Sequence, residues 1–271
     1  MSALTATAPA PIVVPVLART EARRLLLHPV MLVGFALWVA MTADTLLTPP
    51  TVLEAFEAVG SSLSWVPGIP AILAAYLVAT RDRRAGTLDV LGAAPARSEE
   101  RVRSLCVAAL GPGLVALALN TAVLVALHAQ DKLFSIPGPD QPGLGHLLQA
   151  PLTVVGACLL GTMFAVWVPS PVTPALAIVV MVAGHAVIEG ATERALFGPA
   201  VFWADWGGFD GTIWVGLVDG SVWWHLVYVL GLCGMAASAA VVRVAERRRT
   251  IVLVGLVSVA LAVLGGVLQL P

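Results

Sequence analysis

The residues whose types and spacing could do chemistry are few. His185 and Glu189 lie four apart in an apolar run, so on a helix they share a face and could hold a metal or relay a proton. No third ligand joins them in a pattern such as H-E-x-x-H, and a hydrogen-bonded pair at the end of a bundle explains the same spacing. An intramembrane hydrolase using this pair is the weakest reading. No G-x-S-x-G supplies a serine nucleophile. The single lysine, Lys132, sits in no G-x-x-x-x-G-K-[ST] loop, so work driven by a nucleotide would need another polypeptide. Cys106, Cys158 and Cys233 stand singly in apolar runs without C-x-x-C spacing and read as small hydrophobes. No catalytic, metal or cofactor-binding residue is assigned.

The elements that would position such residues belong to a membrane protein. Of 271 residues, 59% are hydrophobic and 11% charged, against about 45–50% and about 25% in soluble domains. The mean hydropathy is +0.93. A soluble enzyme is excluded on this balance, and 16 acids against 15 bases offer no basic surface for nucleic acid. The first 18 residues hold no Lys or Arg and are broken by Pro9, Pro11 and Pro15, so no signal peptide is read there. Seven stretches approach the roughly 20 apolar residues that cross a bilayer: 29–47, 62–80, 104–127, 148–168, 172–189, 222–242 and 251–270. The second is the weakest, being interrupted by Pro67 and Pro70. The expected fold is all-α, a polytopic transmembrane bundle of six to seven spans with a cytoplasmic N-terminus: a segment 1–28 followed by a membrane domain 29–271.

Charge supports that orientation, because Lys and Arg in short loops stay on the cytoplasmic side. Of the 15 bases, three (Arg19, Arg23, Arg24) precede the first span and six (Arg81, Arg83, Arg84, Arg97, Arg101, Arg103) follow the second. Four more (Arg243, Arg247, Arg248, Arg249) follow the sixth, leaving Lys132 and Arg194 for the opposite side. Acids such as Glu54, Glu57, Asp205 and Asp210 occupy the outer loops. The loop 169–174 carries no charge and does not vote.

The largest cytoplasmic connection, 81–103, holds two helix candidates. Thr87 can cap a short segment through Leu88, Asp89, Val90 and Leu91 that stops before Pro95. Ser98 then offers an N-cap with Glu99 and Glu100 in the first turn, and that helix runs into the third span. The first segment suits a peg in a partner's groove, while a basic loop drawn to anionic lipid is the plainer alternative. Before the first span, Val16–His28 reads as an amphipathic helix with Ala18, Ala22, Leu25 and Leu26 on one face, and Pro29 argues against its unbroken extension. The outer loop from about 190 to 220 carries Trp203, Trp206 and Trp214, which fit an interfacial belt or an outer gate that would include His185 and Glu189. Ionisable residues at mid-span are nearly absent, which speaks against proton- or sodium-coupled transport. Small residues four apart, among them Ala36/Ala40, Ala157/Gly161, Gly234/Ser238 and Ser258/Ala262/Gly266, allow close helix approach inside the bundle or at a dimer seam.

On these residues the chain resembles the membrane subunit of ABC-2 type transporters, especially the actinobacterial permeases. TEARRLLLHPVMLVG (20–34) looks like their basic connecting helix and His-Pro entry into the first span. RDRRAGTLDVLGAAPARSEERVRS (81–104) stands where they carry the coupling helix, and the Trp-rich loop matches their re-entrant outer helices. The resemblance covers roughly the first 245 residues, by topology more than by strict motif. It implies a plasma-membrane transport subunit, with no ATPase site or cofactor of its own, that pairs as a homo- or heterodimer. A separate ABC ATPase would bind ATP and dock on Thr87, Leu88, Asp89, Val90 and Leu91, with Glu21, Arg23 and Arg24 in the connecting helix. The apolar run 251–270 departs from the family's usual six spans. A different class, a non-transporting scaffold or sensor that anchors a cytoplasmic partner by the same loop, is the alternative.

Overall fold

The computed structural model describes residues 13–47, 65–87, 96–130, 144–192 and 221–269, with backbone alone at 45, 65, 181 and 184–192. Its helices are α1 (Val13–Leu26), α2 (Pro29–Leu47), α3 (Trp65–Ala79), the single turn α4 (Arg81–Arg84), α5 (Ser98–Ala108), α6 (Leu110–Ala129), α7 (Leu144–Trp167), α8 (Thr173–Thr192), α9 (Val222–Val242) and α10 (Arg248–Leu268). No strand occurs among the described residues, so the all-α class holds. Among the described residues, four helical segments are long and apolar enough to cross a membrane: Ser98–Ala129, Leu144–Trp167, Val222–Val242 and Arg248–Leu268. The bent pair α1–α2 would make a fifth. These helices fit a membrane-embedded protein.

The centre of the bundle is α7, which packs against α3, α6 and α9. Its small residues explain the closeness of these neighbours. A Cβ on Gly161 would lie 2.3 Å from the Ile72 carbonyl oxygen on α3, and one on Gly113 of α6 would lie 2.4 Å from Val155. Without glycine there the backbones could not approach as they do. The same device seats α2 on α3, where a Cβ on Gly34 would lie 2.8 Å from the ring of Pro70.

Prolines within these helices free carbonyls that lipid cannot satisfy. Pro151 cannot donate to Leu147, and the amide of Asn120 on α6 takes over, its Nδ2 donating to the Leu147 carbonyl at 2.9 Å. Pro112 sits one turn after the α5/α6 junction at Ala109 and accounts for that break. The second apolar helix, expected to be interrupted by its prolines, is continuous from Trp65 to Ala79: Pro67 falls in its first turn, where a missing N–H costs nothing, and only Pro70 is internal.

The C-terminal helix α10 packs chiefly on α9, through Ser258, Ala262, Gly265 and Gly266. A Cβ on Gly231 would collide with Ala262, and one on Gly265 would lie 2.4 Å from the Tyr228 nitrogen. Its Val and Leu side chains point outward. Small residues inward and large aliphatics outward suit lipid, where helices associate by close packing and not by hiding apolar surface. The far ends of the two helices are joined by buried His225 and Gln269, whose Nδ1 and Oε1 are 3.0 Å apart. The small-residue faces at 234/238 and 258/262/266 thus serve internal packing, whereas Ala36 and Ala40 lie on the exposed side of α2.

Two glycines separate these constraints experimentally. Gly161→Ala should lower unfolding free energy in detergent by about 1–3 kcal/mol, because a methyl there meets backbone. Gly255→Ala, whose Cβ would make an ordinary 3.4 Å contact with Ser238, should be neutral or stabilising by up to about 1 kcal/mol. Thermal or SDS unfolding of both variants is the measurement.

Candidate functional site

The described arginines gather at one end of the bundle, and the geometry begins with α1. Its buried residues are Ala18, Glu21 and Leu25, one stripe at helical spacing, so a carboxylate occupies the middle of the face that packs on the bundle. Glu21 is only 5% exposed. Its Oε1 accepts from Arg81 Nη2 at 2.8 Å and from Arg24 Nη1 at 2.8 Å, and its Oε2 accepts from Arg81 Nη1. Arg81 thus grips the carboxylate with both terminal nitrogens, the geometry in which guanidinium and carboxylate bind most strongly. Burial by itself would lower the pKa of Arg81, but Glu21 and then Asp82, 3.2 Å from its Nε, outweigh that and raise it above the ordinary value. The clamp ties the N-terminal helix to the point where α3 gives way to the basic loop.

The turn α4 ends in a glycine stop. Gly86 has φ +67°, Gly86 N–H donates to the Arg83 carbonyl and Thr87 N–H to that of Asp82 at 3.0 Å, which closes a Schellman motif. Thr87 Oγ1 also donates back to Asp82 at 3.2 Å. After the loop, α5 begins at Ser98, but Ser98 is the first helical residue and not the expected cap. Arg97 holds the cap position because the Glu100 carboxylate reaches back to accept its N–H at 2.8 Å. Glu99 instead accepts from the Glu246 N–H at 2.9 Å and pairs with Arg103 at 2.5 Å, while Arg97 pairs with Glu246 at 3.0 Å. The connection after α9 is thereby fastened to the loop that precedes α5.

The uncharged turn between α7 and α8 lies at this same end, where alternation of the expected spans puts it although it carries no charge of its own. Tyr76 Oη donates to the Ser170 carbonyl at 2.5 Å, Arg243 Nη1 donates to the Trp167 carbonyl at 3.0 Å, and the Arg243 guanidinium stands 5.1 Å from the Trp167 ring centre. Two adjoining hollows open here, of about 580 and 700 Å³, sharing Thr20, Arg24, Val78 and Arg81 in their walls. The larger also reaches Glu21, Arg101 and Arg243.

Of the residues expected to act, Glu21 and Arg24 are joined in the clamp, Arg23 is exposed on α1, and Thr87 closes the turn after α4. Leu88, Asp89, Val90 and Leu91 lie outside the described residues, as do Trp203 and Trp206. His185 and Glu189 lie four apart on α8, described there as backbone only. Among the described residues no three His, Cys, Asp or Glu gather as metal ligands. Sequence reasoning missed the partner role of Arg81. The available signal was the position of Glu21, three after Ala18 and four before Leu25 on an otherwise apolar face. No protein-family model, curated protein or solved structure matches the chain.

The junction between α1 and α2 bends by 60°. His28 sits at the bend as the cap of α2, its Nδ1 accepting the Val30 N–H at 3.3 Å, and Pro29 follows at the first helical position. Burial, then the charge of Arg84, lowers the pKa of His28 below its usual 6.5. The unfolded chain therefore takes up this proton more readily, so the stabilising effect of neutral His28 is present above about pH 6.5 and is lost as pH falls through the lower, folded value. Between pH 7.5 and pH 5.5 the wild type should lose more thermal stability than His28→Asn, which keeps a cap acceptor without a titrating ring. Equal losses would remove His28 from the account.

Proposed function

We propose that this chain is the permease subunit of an ATP-driven ABC-2 type transporter, working as an exporter in the plasma membrane with its N-terminus and arginine-rich end in the cytoplasm. The observation that carries the reading is the clamp of Glu21 by Arg81 and Arg24. It makes an amphipathic helix and the entrance to the basic loop a single unit, so that a force applied at the loop reaches α1, the α1–α2 bend and α3 together. Further support comes from the fastening of Arg97 and Glu99 to Glu246, which brings the third basic segment into the same layer.

In this reading two membrane subunits pair and two separate ATPases dock below them, each receiving Leu88, Asp89, Val90 and Leu91. Nucleotide bound by the ATPases favours one arrangement of the paired bundles over another, and only that difference in affinity can do work on the permease. The chain transmits the displacement and shapes the path, and it breaks no bond. The sparse charge within its helices is in keeping with a lipophilic or amphipathic cargo. The helix α10 would add a seventh span outside the usual six, packed on α9.

Affinity purification of the tagged full-length protein from its own host in mild detergent, followed by mass spectrometry, tests the reading. A Walker-motif ATPase should co-purify, and Leu88→Arg/Leu91→Arg should reduce its recovery at least about tenfold, since two buried charges at a docking site cost several kcal/mol. Clean recovery without an ATPase, under conditions that preserve a known ABC complex, would replace the transporter with a membrane scaffold.

A further inference from the structure

The smaller hollow, of about 580 Å³, has a one-sided charge. Its walls carry Arg23, Arg24, Arg81 and Arg84 together with His28, and no acidic residue lines it. Glu21 and Asp82 face the adjoining larger hollow instead. Glu21 engages Arg24 and Arg81, and Asp82 engages Arg81, but among the described residues no carboxylate pairs with Arg23 or Arg84. Arg84 is held by one Nη2 donation to the Leu77 carbonyl at 2.5 Å, which leaves its other donors available to a ligand.

Apart from Thr20, whose hydroxyl donates to the Val16 carbonyl at 3.2 Å, the rest of the wall is apolar: Leu27, Pro29, Leu77 and Val78. Leu27 is 58% exposed although it adjoins this basic rim. The groove opens where the apolar helix α2 begins and the apolar helix α3 ends, so its arginines stand at the level where a membrane changes from hydrocarbon to headgroup. A ligand that fits both walls carries a phosphate-like anion at one end and a hydrocarbon chain at the other. A soluble anion would meet the arginines but leave Leu27 and Leu77 in water.

We propose that the groove between α1, the α1–α2 bend and the α3–α4 junction is a binding site for an anionic phospholipid, with Arg23 and Arg84 on the headgroup phosphate and Leu27, Leu77 and Val78 along the first part of the acyl chain. Basic pockets between helices at the cytoplasmic interface recognise acidic lipid in this way, and each arginine near the surface strengthens the attraction. The bound lipid would neutralise charge beside His28 and buttress the bend. The inference rests on the membrane embedding of the bundle and is independent of what the protein transports.

The test is native mass spectrometry of the full-length protein in detergent, titrated at fixed ionic strength with phosphatidylglycerol, with phosphatidylcholine of the same acyl chains, or with inorganic phosphate. Wild type should retain phosphatidylglycerol in preference to phosphatidylcholine, and millimolar phosphate should not displace it. Arg23→Gln/Arg84→Gln should weaken phosphatidylglycerol retention about tenfold or more while leaving phosphatidylcholine unchanged. Arg23→Gln alone changes only an exposed side chain, so it keeps the test valid if the double variant misfolds, and it should weaken retention severalfold. Arg248→Gln/Arg249→Gln should leave retention intact. Equal retention of the two lipids, equal weakening by the α10 pair, unaltered binding in Arg23→Gln, or displacement by phosphate would each overturn the proposal.

Discussion

A carboxylate taken out of water must be met by fixed donors or be neutralised, and Glu21 is met by two arginines from different parts of the chain. That requirement fixes more than one ion pair. It sets the rotation of α1 about its axis, since only one stripe of the helix can carry Glu21 inward. It also sets the distance of α1 from the α3 terminus, since the Arg81 guanidinium reaches both carboxylate oxygens at once. The bend at His28 and Pro29 then follows, because α2 must leave at an angle to run along α3 while α1 remains packed against α5.

Above this layer a different physics governs. Helices that fit a lipid solvent gain little from hiding apolar surface, so the bundle is assembled by close approach at Gly34, Gly113, Gly161, Gly231 and Gly265. Polar side chains are used where the backbone needs them. Asn120 restores the partner that Pro151 takes from Leu147, and His225 with Gln269 closes the end of the α9–α10 pair. The two regimes meet at the ends of α3 and α7, where Tyr76, Trp167 and Arg243 present apolar rings and stems to the helices and polar tips to neighbouring carbonyls.

Much of this was legible in the sequence, for physical reasons that can be named. Apolar length announced the helices, proline announced the break before α2, and the sorting of arginines into three segments anticipated that they share one end. Other features depend on pairs far apart in the chain, which local spacing does not encode. Glu21 read as one charged residue of a basic helix until Arg81, sixty residues on, was placed against it. The uncharged turn at 169–174 had its side only from the alternation of spans, and the contacts of Tyr76 and Arg243 that hold it there were not legible in its own residues. Ser98 looked like a helix cap because serine usually is one, and it lost that place to Arg97 because Glu100 could reach back. The role of the C-terminal helix was open in sequence, and the glycines facing Ala262 and Tyr228 attach it to α9.

The claim that this basic layer is organised by one buried carboxylate is most directly tested by a double-mutant cycle on Glu21 and Arg81. Unfolding free energies in detergent would be measured for the wild type, Glu21→Gln, Arg81→Gln and the double variant. The account predicts a coupling energy of about 1–3 kcal/mol, with the second substitution costing little once the first is made. Additivity within about 0.5 kcal/mol would mean that the two side chains do not depend on each other, and would contradict it.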